Sequence, residues 1–188
     1  MSRSKSSPLF LVTPDNWASW SQQLQSETER GLATTAAAIL DHLLGRLIEG
    51  FLLDDTHATK KLLGDTFSPL GSFSARIATA YSLGLISKEE RDDLDCIREI
   101  RNAFVHQPTS PSFSDDPIAA KVRGLKTIQL VSKEISFPTN MPPKNSFRDA
   151  VAMLSSFIEI RTQNNHERRT PPGKFKMEFP KQPTPNTA

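Results

Sequence analysis

The run SETERGLATTAAAILDHLLGRLIEGF, residues 26–51, decides the fold class. Leu32, Ala36, Ile39, Leu40, Leu43, Leu47, Ile48 and Phe51 recur in it with the 3.6-residue period of an α-helix. Ser26-Glu27-Thr28-Glu29 reads as a capping box, a hydroxyl and a carboxylate that satisfy the free N–H groups of a first helical turn. The apolar stretch from Leu32 to Leu53 carries Asp41, His42, Arg46 and Glu49, so it is expected to be a core helix and not a membrane span. Its apolar residues spread around much of the helix. It therefore needs helices packed on several sides, which predicts the central helix of an all-α domain.

The flanks carry further helix signals. Thr13-Pro14-Asp15 predicts a helix start, and Trp17, Trp20 and Leu24 continue that helix to about Gln25. A short helical turn is expected around Ala58 to Leu63. Ser68-Pro69 can cap a helix with Phe73, Ile77, Ala80 and Tyr81, which Gly84 closes in a left-handed conformation. Ser87-Lys88-Glu89-Glu90 is a second capping box, and its helix runs to His106 before Gln107-Pro108 stops it. Gln107 to Pro117 reads as a surface loop, and Asp116-Pro117 can cap a short helix to Gly124. Residues 127–137 fit strand or helix equally. Asn145 or Ser146 caps a last helix to about Thr162, with Phe147, Val151, Leu154, Phe157 and Ile158 on one face. The organisation is a flexible arm (1–12), one helical domain (13–163) and a disordered, basic, proline-rich tail (164–188).

On the Ser87–His106 helix, Leu94, Ile97, Ile100, Phe104 and Val105 form the apolar face at 100° per residue. Arg101 projects into that face, whereas Asn102 and His106 lie along its polar edge. An arginine among core residues calls for a partner, and Asp41 and Glu49 are the candidates for a structural ion pair. The other reading is chemical. Arg101 could grip a phosphate, His106 could exchange a proton as a general acid, and Asn102 could orient its ring. The R-x4-H spacing resembles that of the HEPN superfamily, helical domains that include metal-independent endoribonucleases and toxin-type proteins. The resemblance implies a cleft shared by two protomers, so a homodimer is an open expectation.

Composition narrows the classes. The chain has a formal charge of +2, but residues 6–165 hold 16 basic and 19 acidic side chains. A body of that balance lacks the positive field of a duplex-DNA binder. Leu83-Gly84-Leu85-Ile86-Ser87 between two helices superficially matches a helix-turn-helix, yet the second helix opens with Glu89, Glu90, Asp92, Asp93 and Asp95, which would face phosphates. His42, His57, His106 and His166 have no metal-ligand spacing with one another or with Cys96, so no metal and no cofactor are expected. The single cysteine excludes an internal disulfide and suits a reducing cytoplasm. Cys96 reads as a small residue at the core boundary and His42 as an interhelical one. The stretch Pro69 to Arg76 offers a conceivable anion site that ordinary capping explains equally well. The basic tail is a further candidate, for salt-dependent RNA or anionic-surface binding.

Several strings in order resemble the mannitol-operon-repressor-like family over about residues 26–160. They are Glu29-Arg30-Gly31 with Leu40-Asp41; Pro69-Leu70-Gly71-Ser72-Phe73-Ser74-Ala75-Arg76-Ile77; Ala80-Tyr81-Ser82-Leu83-Gly84-Leu85-Ile86; Asp93-Leu94-Asp95; and Ile97 through His106. Val105 departs from the small alanine common there, and the tail after Asn164 is an extension. The resemblance implies a compact, all-helical bacterial regulator without a DNA-reading motif of its own, acting through a protein partner such as a transcription factor or an operon-linked protein. That reading favours a non-enzymatic repressor over the Arg101/Asn102/His106 ribonuclease.

Overall fold

The central helix, α1 (Glu29–Phe51), opens at Thr28, whose hydroxyl accepts the Gly31 N–H at 3.0 Å. The structure is a computed structural model that describes residues 24–53, 55–65, 67–107, 111–134 and 141–164. Six more helices follow: α2 (Thr56–Leu63), α3 (Phe73–Ser82), α4 (Lys88–His106), α5 (Asp116–Arg123), α6 (Lys126–Glu134) and α7 (Pro143–Asn164). The fold is all-α, as the periodicity requires. The expected arm, the Thr13–Trp20 helix start and the tail from residue 165 lie outside the described residues. Leu24 and Gln25 are helical and Ser26 turns, which fits the expected end of that first helix.

α1 packs against α7, α4 and α3 and touches α2, so it holds the centre of the bundle. Leu32, Leu40, Leu43, Leu44 and Ile48 on it are fully buried. By length and composition α1 could cross a membrane, but its apolar surface is turned onto the other helices. Each fully buried Leu or Ile contributes roughly 1.5–3 kcal/mol, so these side chains alone are a large part of what holds the bundle together.

Helix boundaries moved where a better cap was available. Thr28, not Ser26, caps α1, and the carboxylate of Glu29 instead accepts the Phe113 N–H at 3.1 Å. Ser72 caps α3 in place of Ser68, whose hydroxyl braces the preceding turn through Asp65. The Ser87/Glu90 box at α4 forms in both directions, and Gly84 has φ +70°. Asp115 precedes α5, with Asp116 already helical. Residues 126–134 are helix, because buried Asp93 caps them from outside: its carboxylate accepts the N–H groups of Lys126 and Thr127 at 2.7 Å each, and the Thr127 hydroxyl at 2.6 Å. α7 starts at Pro143, ahead of the expected Asn145, since proline suits the first helical position.

Three apolar expectations change. Val105 is 41% exposed and Phe157 39% exposed, so neither belongs to the core. Phe113, in the stretch read as a surface loop, is fully buried. Its ring sits 4.8 Å from those of Phe104 and Phe147, a tilted stack that joins α4 to α7 through the loop. Replacing Phe113 by Ala is expected to destabilise the protein by about 3–5 kcal/mol. Urea unfolding should show a lower midpoint with little change in slope.

Candidate functional site

The motif at the end of α4 does not assemble into a catalytic cluster within one chain. Arg101 and Asn102 are half-buried and His106 is exposed. Five helical steps put Arg101 and His106 about 140° apart around the axis, so they address different surroundings. Among the described residues Arg101 forms no ion pair. The carboxylate of Asp41, one of its two expected partners, binds Arg76 at 2.9 Å. α3 has 10 residues and α4 has 19, so the last turns of α4 run past the end of its hairpin partner and Arg101 reaches solvent.

The arginine that locks the bundle is Arg76. Its side chain is only 14% exposed. Besides the Asp41 ion pair, Nε donates to the Leu70 carbonyl at 2.8 Å, and the terminal nitrogens donate to the carbonyls of Asp41 (3.3 Å) and Leu63 (3.4 Å). One guanidinium thus ties α1, the end of α2 and the turn before α3 together. Gly45 lies against it: a Cβ there would meet Arg76 Cζ at 3.5 Å, an ordinary van der Waals contact that alanine would make. The Pro69–Arg76 stretch, weighed as an anion site, is occupied by this internal anchoring. Its helix-start hydroxyl, Ser72, accepts the Ala75 N–H.

Other buried charges are braces too. Glu90 accepts the Ser87 N–H at 2.7 Å and receives both terminal nitrogens of Arg161, at 2.7 and 3.0 Å, linking α4 to α7. Glu159, 1% exposed, holds Arg46 of α1 at 2.9 Å. The sequence reading missed Glu159, although its place beside Ser155 and Ile158 on the buried face of α7 was the available signal. His42, expected between helices, is exposed. The described residues contain no group of three or more His, Cys, Asp or Glu side chains placed to share a metal.

Cys96 stands at the core boundary as expected, its thiol donating to the Lys121 carbonyl at 3.6 Å. Burial pushes this thiol up from its ordinary 9.0 to about 11. A raised acid pKa favours the neutral form in the folded state. That stability is fully present below pH 9 and is lost as pH rises toward 11. Disulfide-exchange labelling at pH 8 should therefore proceed roughly two orders of magnitude slower than for free cysteine.

An open groove of about 450 Å³ lies between α2 and the turn before α3, bordered by His57, Lys60, Lys61, Asp65 and Phe67. The sequence reading placed no site there.

The described residues thus define an all-helical bundle braced by internal ion pairs, in which the motif residues of α4 stay apart. The chain belongs to the mannitol repressor family, whose model matches residues 22–168. It is 30% identical over 95 residues to the mannitol operon repressor of Escherichia coli strain K12, and equally so to that of Escherichia coli O6:H1 strain CFT073. Each alignment covers 49% of this chain and 49% of the relative, so the chain spans about half the length of the curated relatives it matches. Among solved structures it is similar to a chain in the X-ray structure of the MtlR-HPr complex from Escherichia coli. The TM-score is 0.59 at 21% identity, covering 74% of this chain and 98% of that one, a likeness of fold.

Proposed function

We propose that the protein is a mannitol-operon-repressor-like regulator that acts through a protein partner and does not read DNA itself. The observation that carries this reading is the family match across residues 22–168. The Escherichia coli structure of similar fold is a complex of MtlR with HPr, and we extend that pairing to this chain: its partner is the HPr of its own cell. A cytoplasmic location suits a chain with a single cysteine.

The expectation that the acids opening α4 face outward is corrected: Glu90 and Asp93 are buried and bound internally, and Asp92 pairs with Lys88 and Arg91, which leaves Glu89 exposed. Indirect action is supported instead by the excess of acidic over basic side chains in residues 6–165. The ribonuclease reading has no comparable support: the family match carries a repressor, and a nuclease site would need a second protomer to bring Arg101 and His106 together.

Two measurements test the proposal. Purified protein and its cognate HPr, mixed and followed by calorimetry, should form a complex; no heat and no co-elution would remove HPr as the partner. In an RNA-cleavage assay the wild type, Arg101→Ala and His106→Ala should all be inactive. Cleavage by the wild type that both substitutions abolish would replace the regulator reading with the nuclease one.

A further inference from the structure

Phe67 is 99% exposed. Leaving such a ring in water forgoes roughly 1.5–3 kcal/mol of burial that a partner could recover. The turn that carries it is firmly hydrogen-bonded. The Phe67 N–H donates to Asp65 Oδ1 at 2.9 Å, and the Ser68 hydroxyl lies 3.2 Å from the same oxygen. Leu70 N–H reaches back to the Leu62 carbonyl at 2.9 Å, and Gly71 N–H to that of Ser68 at 2.8 Å. Arg76 grips the carbonyls of Leu63 and Leu70, one on either side. The ring is held outward by a braced turn that is itself anchored to the core.

Phe67 stands on one wall of the groove of about 450 Å³, and Lys60, Lys61 and His57 of α2 stand on the other. Both lysines are exposed, and the one carboxylate among the lining residues, Asp65, has an oxygen engaged by the turn. An exposed aromatic ring across a groove from two lysines is complementary to a segment that carries an apolar side chain beside carboxylates. Here it sits on a body whose residues 6–165 carry more acidic than basic side chains, which makes the groove a local basic exception.

We propose that this groove docks an acidic protein segment, with an apolar side chain resting on Phe67 and flanking carboxylates facing Lys60 and Lys61. The inference rests on the reading that the chain works through a protein partner, and it adds a docking face and the partner chemistry. Protein is favoured over single-stranded RNA on two grounds. RNA tracks present several aromatic platforms along a continuous basic channel, whereas this groove has one ring and two lysines. The acidic surroundings also repel an extended polyanion while tolerating a short acidic segment.

The test titrates the isotopically labelled full chain with a random glutamate–tyrosine copolymer and follows backbone amide shifts. The same titration is run on Phe67→Ser and on the double variant Lys60→Gln/Lys61→Gln; all three side chains are exposed, the double variant removes the last-turn cations of α2 without placing acids there, and folding of each is checked by melting. The expected result is shifts confined to residues 55–70, with binding roughly tenfold weaker in both variants. Shifts elsewhere, shifts unchanged by the substitutions, or tighter binding of oligouridylate at the same residues would overturn the proposal. HPr binding is measured on the same samples. HPr bound without a copolymer response sinks the groove alone, and a copolymer response without HPr sinks the HPr assignment alone.

Discussion

The Arg76–Asp41 ion pair is the interaction on which the rest of the bundle depends. A guanidinium mostly hidden from water must have its hydrogen-bonding capacity met; here three backbone carbonyls accept from it, and the Asp41 carboxylate adds an ion pair at 2.9 Å. Those partners come from α1, α2 and the turn before α3. Removing the cation would take the common anchor from all three segments at once.

The same device recurs around the central helix. Glu159 receives Arg46 of α1, Glu90 closes both its own capping box and the link to Arg161, and Asp93 supplies the missing cap of α6. Hydrophobic burial drives the helices together without choosing one rotation or register over another. These paired charges choose, because each is satisfied only in one arrangement. An acidic body is thus compatible with a tight core. Four of its carboxylates, Glu90, Asp93, Asp149 and Glu159, are buried, each with a cation or donor beside it.

The helices were legible in the sequence because periodicity and caps are local. The central place of residues 32–51, the Ser87 capping box and the left-handed Gly84 all followed from a few neighbouring residues. What failed depended on relations between helices. The helical projection put Arg101 beside the core, but periodicity carries no information on which helix faces which. Arg76 took the acid, and the shorter α3 left Arg101 and Val105 uncovered. Phe113 has no period at all: one aromatic in a serine- and proline-rich loop looks like surface until the loop's path is known. The groove beside Phe67 was invisible for a similar reason, since its lysines and its ring come from separate segments joined by the Arg76 anchor.

The buried charges hold the scaffold, and the exposed Phe67 and the lysines of α2 stand outside it. The most direct test of the account is equilibrium urea unfolding of Arg76→Ala beside Arg101→Ala. Loss of Arg76 should cost about 3 kcal/mol, as for one partner removed from a largely buried pair, and loss of Arg101 less than about 1 kcal/mol. An Arg101→Ala variant destabilised as much as Arg76→Ala would show that the lock lies at the end of α4 and would contradict the account.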